Sequence, residues 1–124
     1  MVSQMNFNQT IRHYFEIACV HESEIRSDAR AGEKYDKSLR TWVKFQLTIT
    51  DGQLYSINFN LYGCPYTIAI CGVIIDSFLG QSLDNITSEA LDNKIGSIDL
   101  PRKLFGKFIL IKEAFFEELN CSIH

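Results

Sequence analysis

Two runs of alternating apolar and polar residues, separated by Asp51-Gly52, constrain the fold of this chain more than any other feature. The first run is WVKFQLTIT and the second is QLYSINFNLYG. Their alternating apolar residues are Val43, Phe45, Leu47 and Ile49, then Tyr55, Ile57, Phe59 and Leu61. A period of two places alternate side chains on one face of a strand, and Asp-Gly favours a tight hairpin turn. The pattern therefore predicts an antiparallel β-hairpin with one buried face.

Helices are predicted on both sides of this hairpin. Apolar residues recur at spacings of three and four from about Phe7 to Ala18 and from about Arg102 to Leu119. Between them, the segment from Pro65 to Leu79 is apolar on most sides, begins with proline and is followed by Gly80, which predicts a buried helix. The core stripe expected for the last helix is Leu104, Phe108, Ile111, Phe115 and Leu119.

Two connecting stretches carry weaker signals. The polar residues from Val20 to Thr41 lack a sustained period, so we expect a long surface loop there. The stretch after Gly80 predicts short helical turns, with Ser82 and either Thr87 or Ser88 as caps. Together the elements predict an α+β architecture, in which helices pack on one face of a small antiparallel sheet.

The composition excludes several classes of protein. A chain of 124 residues with 46% hydrophobic and 22% charged residues suits one globular domain over residues 1–124. A net charge of −3 without a basic tract argues against nucleic-acid binding. No apolar segment reaches the roughly 18 residues that a membrane span needs. The N-terminal stretch has no charged and apolar signal regions, so we expect a cytoplasmic protein with reduced thiols.

Cys64 is the candidate functional residue, because its Gly-Cys-Pro corner lies where the second strand gives way to the long helix. Unpaired backbone N–H groups and the helix dipole favour a thiolate there, which is a metal ligand or a sulfur nucleophile. Cys71 is nearly two helical turns further on, roughly 10 Å along the axis, and is expected in the core. For Cys19 and Cys121 the sequence leaves open whether they are small buried hydrophobes. A purely structural role for Cys64 remains an alternative.

The order and spacing of several landmarks resemble the scaffold domain of NifU/IscU-type iron–sulfur cluster assembly proteins, with their SufE/NifU-like fold. The landmarks are a strand that ends in Tyr-Gly-Cys, a helix that closes in Gly-x-Ser-Leu-Asp, and Leu100-Pro101 before the last helix. IRHYF resembles the family's first helix, and only the stretch from Val20 to Ser38 lies outside the resemblance. The resemblance implies a protein that holds a nascent [2Fe–2S] cluster on three cysteines, helped by an aspartate or a histidine.

The resemblance also implies that most of the cluster ligands are replaced. The family's Cys-Gly-Asp motif corresponds to Leu39-Arg40-Thr41, and its His-Cys pair corresponds to Gly106-Lys107. Cys64 alone keeps a family ligand. The side chains of Leu39 and Gly106 offer no donor, whereas Lys107 and Arg40 would stabilise a thiolate and repel Fe²⁺.

We therefore expect a scaffold-like protein, not an enzyme, whose Cys64 accepts sulfur from the family's partner, a cysteine desulfurase. One alternative is a working scaffold, or an iron- or zinc-binding protein, with Cys64 and substitute ligands as the metal site. A cluster shared across a homodimer, a protein-interaction domain that has left the pathway, and a thiol enzyme are further alternatives. The chain is expected to be a monomer or a homodimer. The substitute ligands considered are Glu33, Asp36, His13, His21, Cys121 and His124.

A second partner is implied by the family's Leu-Pro-Pro-Val-Lys segment, which binds an Hsp70-type chaperone. Here the corresponding residues are Leu100, Pro101, Arg102 and Lys103, with arginine in place of the second proline. Because that proline is part of the segment the chaperone binds, its replacement weakens the expectation of chaperone binding.

Overall fold

The computed structural model of the chain describes residues 9–23, 25, 32–98 and 100–123. Within these ranges, four α-helices accompany a three-stranded antiparallel sheet of order β1-β2-β3. The elements, in chain order, are α1 (Gln9–His21), β1 (Glu33–Asp36), β2 (Thr41–Thr50), β3 (Gln53–Tyr62), α2 (Pro65–Phe78), α3 (Ser88–Gly96) and α4 (Phe105–Ile123). Short 3₁₀ turns at Leu83–Asn85 and Arg102–Leu104 precede α3 and α4. The predicted α+β class is confirmed.

The predicted hairpin is confirmed as β2 and β3. Val43 pairs with Leu61, and Phe45 pairs with Phe59, and these four side chains are buried. The turn residues Asp51 and Gly52 have φ values of 53° and 74°. Positive φ at both central residues is the requirement of the tight turn that Asp-Gly favours.

The buried face of β3 differs from the prediction at one end, because the pairing shifts by one residue beyond Thr48. Ile49 pairs with Leu54, so Tyr55 is the extra residue of a bulge. Tyr55 is consequently 72% exposed, while Leu54 is fully buried. The expectation that Tyr55 faces the core was therefore wrong, and Leu54 takes its place.

The prediction of a loop from Val20 to Thr41 was wrong in two places. Helix α1 continues to His21, and β1 adds an edge strand beside β2. Side-chain contacts compensate for the polar composition of β1: Glu33 accepts a hydrogen bond from the indole N–H of Trp42 at 2.8 Å. Lys34 forms an ion pair with Glu117 of α4 at 3.2 Å.

The helices form one core with a single face of the sheet. Helix α2 runs from Pro65 as predicted and is buried on most sides. The predicted stripe of α4 is buried throughout, and Ser82 and Thr87 act as the expected caps. Helix α1 begins at Gln9, and Phe7 lies outside the described residues. Across the described ranges, every helix is too short or too polar to cross a membrane.

Candidate functional site

Cys64 lies between the end of β3 and the first residue of α2. Its backbone is extended, with φ −98° and ψ 167°, and it is the N-cap of the helix. The Cys64 carbonyl accepts hydrogen bonds from the N–H groups of Thr67 and Ile68 at 3.0 and 3.2 Å, and from the Thr67 hydroxyl at 2.5 Å. Its side chain makes no capping bond to the described first turn of α2 and is half-buried against the core. The sulfur is therefore not engaged in holding the helix start.

Strand pairing brings the replaced motif Leu39-Arg40-Thr41 to the Cys64 end of the sheet. Trp42 of β2 pairs with Tyr62 of β3. The preceding residue, Thr41, is therefore level with Gly63, next to Cys64. Thr41 is fully buried, and its hydroxyl donates to the carbonyl of Leu39 at 2.9 Å. This hydroxyl is committed to shaping the turn before β2.

The start of α4 meets the same turn. A β-carbon placed on Gly106 would lie 3.5 Å from Cδ2 of Leu39, which is its nearest neighbour among the described residues. Two positions that the resemblance assigns to cluster ligands are therefore adjacent in space. Neither position offers a side-chain donor atom. The neighbouring Lys107 is half-buried on the first turn of α4.

A metal or cluster does not fit the donors at this site. Iron–sulfur clusters are held mainly by cysteine thiolates, and ordinary zinc sites need at least three protein ligands. Within the described ranges, no group of three or more His, Cys, Asp or Glu side chains is arranged to hold a metal ion. Cys64 is the single thiol among the positions that the resemblance assigns to ligands.

The carboxylates proposed as substitute ligands have other partners. Glu33 accepts the Trp42 indole N–H. Asp36 accepts hydrogen bonds from the Ser38 hydroxyl at 2.6 Å and from the N–H of Leu39 at 3.1 Å. These bonds hold the pKa of the Asp36 carboxyl below its usual value. Asp36 thus acts as the cap of the turn that leads into β2.

The histidines lie on α1, away from this turn in sequence. His21 places Nδ1 3.2 Å from the carbonyl oxygen of Ile57. The ring of His13 packs edge-on against Tyr14. Cys121 is exposed near the end of α4, and His124 lies outside the described residues.

Two of the remaining cysteines, Cys71 and Cys19, have thiols whose pKa is raised, which disfavours the thiolate. Cys71 is buried as predicted, and burial raises the pKa of its thiol well above the usual value. Cys19 and Cys121 are both exposed, so neither is a small buried hydrophobe, a point that the sequence had left open. Partial desolvation, together with the carboxylates of Glu22 and Glu16, raises the pKa of Cys19.

The segment that the resemblance associates with a chaperone is partly buried in the core. Leu100 is buried, and Leu104 is also buried. Pro101 is half-buried, whereas Arg102 and Lys103 are exposed. The surface that this segment offers is therefore mainly cationic.

A pocket at the Cys64 end of the sheet was missed at the level of sequence. It has a volume of about 720 Å³ and is lined by Tyr35, Lys37, Ser38, Arg40 and Tyr62. The one available signal was Tyr62, a large aromatic residue in the polar phase of the β3 alternation. The other lining residues come from the stretch that was interpreted as a surface loop.

Comparisons with known proteins identify the fold. No family model matches the chain, and no curated protein matches it significantly in sequence. Two solved structures are similar: the N-terminal part of a nitrogen-fixing NifU-like protein from Brucella abortus, and FiSufU from Fervidobacterium islandicum, described as an iron–sulfur cluster assembly scaffold protein for the SUF system. The first has a TM-score of 0.58 and 16% identity, covering 92% of this chain and 90% of its own. The second has a TM-score of 0.54 and 17% identity, covering 98% and 91%.

Proposed function

We propose that this chain, which shares the fold of iron–sulfur cluster scaffold domains, accepts sulfur on Cys64 from a cysteine desulfurase and assembles no cluster on its own donors. The observation that carries the proposal is the contact of Leu39 with the Gly106 position at the Cys64 end of the sheet. Leu39 and Gly106, which the resemblance assigns to ligand positions, lie next to each other, and among the assigned positions Cys64 alone has a thiol. The protein would act in the cytoplasm as a sulfur-accepting partner.

The transfer is an exchange between a thiolate and a persulfide. The thiolate of Cys64 attacks the outer sulfur of a persulfide on the donor's cysteine. The donor's sulfur–sulfur bond breaks, its cysteine leaves as a thiolate, and a new sulfur–sulfur bond forms on Cys64. The outer sulfur and its proton move together, so no external oxidant or reductant is required. The exchange needs one accessible thiolate, whereas cluster assembly needs several placed donors.

The chain acts in this scheme as a carrier that another protein loads, which is why no catalytic residue is assigned to it. The desulfurase is the first partner expected. Chaperone binding at Pro101, Arg102 and Lys103 is a weaker expectation, because Leu100 is buried in the core and the exposed part of the segment is cationic.

Sulfur transfer to Cys64 is measured by intact mass after anaerobic incubation with a cysteine desulfurase and cysteine. We expect the parent chain to gain the mass of one sulfur atom, and peptide mapping to locate it on Cys64. The Cys64→Ala variant should gain none. The matched control is Cys121→Ala, which removes an exposed thiol distant in sequence and should accept sulfur like the parent. Equal loading of Cys64→Ala would contradict the proposal.

A further inference from the structure

This pocket lies at the Cys64 end of the sheet, and its lining residue Tyr62 belongs to the face of β3 opposite the buried Leu61. Tyr62, one of its lining residues, is two positions before Cys64. The pairing of Tyr35 with Trp42, and of Trp42 with Tyr62, sets three aromatic residues in a row across the strands. We call Tyr35, Trp42 and Tyr62 the aromatic row. It runs across the sheet at the end where Cys64 lies.

The aromatic row is exposed at both ends and fixed in the middle. Tyr35 is 64% exposed and Tyr62 is 76% exposed. Trp42 is half-buried, and its hydrogen bond to Glu33 fixes the indole. Large aromatic residues that remain exposed on a rigid strand are typical of sites where a partner protein binds.

The rim of the pocket is cationic. Lys37 and Arg40, both exposed, stand at the two ends of the turn between β1 and β2. No described carboxylate forms an ion pair with either residue. The carboxylate nearest in sequence, Asp36, is bonded to Ser38 and to the N–H of Leu39. On a chain with a net charge of −3, this is a local positive surface.

Arg40 occupies a backbone conformation that disfavours it. Its φ is +52°, in the left-handed region where glycine is the relaxed residue. Residues that are kept in such conformations tend to cluster at functional sites, because the surrounding fold has to hold them there. The turn that presents Arg40 to the pocket therefore holds a backbone conformation that glycine would adopt without strain.

We propose that the aromatic row and its cationic rim dock an acidic segment of the protein that donates sulfur to Cys64. The inference rests on the proposed function, because it takes the sulfur donor as the partner. The pocket is open, whereas small-molecule sites enclose most of their ligand, so a segment of a macromolecule is the better fit. Carboxylates on that segment match Lys37 and Arg40, and the aromatic row supplies contact area.

The test is calorimetric binding of the chain to the cysteine desulfurase encoded in the same genome, at low and at raised salt. Tyr62→Ala and Arg40→Gly should each weaken binding by about tenfold or more. Arg40→Gly removes the backbone strain at residue 40, so the thermal midpoint of this variant should equal or exceed that of the parent. A loss of binding in this variant therefore cannot be attributed to a loss of folding. The parent's affinity should fall as salt rises, and Arg40→Gly should reduce that dependence.

Two matched controls complete the experiment. Tyr55→Ala removes a tyrosine that is 72% exposed at the opposite end of β3, and Arg12→Glu reverses an exposed cation on α1. Both should bind like the parent. If the parent binds and accepts sulfur while Tyr62→Ala and Arg40→Gly bind unchanged, the docking proposal fails and the proposed function stands. An affinity that does not change with the salt concentration would contradict the proposal that the docked segment is acidic. A parent that neither binds nor accepts sulfur overturns both proposals.

Discussion

Replacing Gly72 by alanine is expected to destabilise the fold by about 3 kcal/mol or more. A β-carbon at Gly72 would overlap the carbonyl oxygen of Tyr14 and lie 2.6 Å from its carbonyl carbon. Both atoms belong to the backbone of α1, so no side-chain rotation relieves the overlap. Helices α1 and α2 would have to move apart at this contact.

The expected loss is large because the contact lies inside the core. Ile11 and Ala18 of α1 are fully buried, as are Ile70 and Val73 of α2. Separating the two helices would leave unfilled space around these side chains, in an interior that is otherwise close-packed. Alanine gains about 1 kcal/mol over glycine in helix propensity. That gain is smaller than the expected cost of the overlap.

Urea unfolding followed by circular dichroism measures the difference in the free energy of unfolding. The matched control is Gly96→Ala at the end of α3, where an added β-carbon meets no described atom within 4 Å. The control should be as stable as the parent or gain up to about 1 kcal/mol. A Gly72→Ala variant within about 1 kcal/mol of the parent would contradict the close packing of α1 on α2.

Adding donors at the adjacent positions 39 and 106 is expected to create a metal site. The double variant Leu39→Cys/Gly106→His would place a thiol and an imidazole beside each other, at the sheet end that holds Cys64. Gly106 is exposed, and outside its own helix and chain neighbours a β-carbon added there would meet only Leu39 within 4 Å. Three such protein ligands and one water complete a tetrahedral zinc site.

Zinc affinity of the double variant is measured by competition with a chromophoric chelator under reducing conditions. We expect binding to be at least about a hundredfold tighter than in the parent, which corresponds to ~2.8 kcal/mol. Leu39→Ser/Gly106→Ala changes the same positions without adding a thiol or an imidazole, and it should bind like the parent. Adding Cys64→Ala to the double variant should abolish the gain. No gain in the double variant would show that these positions do not converge with Cys64.

The sequence was informative wherever local periodicity decides the structure. The alternation on both sides of Asp51-Gly52 predicted the hairpin. Pro65 and Gly80 indicated where α2 begins and ends. The placement of Cys64 at the start of α2 follows from these two elements alone, because the Gly-Cys-Pro corner joins them.

Features that depend on tertiary contacts were missed. Strand β1 has three charged residues and one tyrosine, and what fixes it is pairing with β2 and the contacts of Glu33 and Lys34. The bulge at Tyr55 changes which side chains at the start of β3 face the core. The regular alternation of the sequence does not show this change. The aromatic row is invisible along the chain because Tyr35, Trp42 and Tyr62 come from three strands.

Anaerobic reconstitution with iron and sulfide tests most directly whether Cys64 acts alone. The parent chain and Cys64→Ala are reconstituted side by side, desalted, and compared by visible absorption and by iron content. If Cys64 is a sulfur acceptor without a ligand set, neither protein retains the charge-transfer bands of a cluster, and their iron contents are equal. Cluster bands in the parent that are absent from Cys64→Ala would contradict the account.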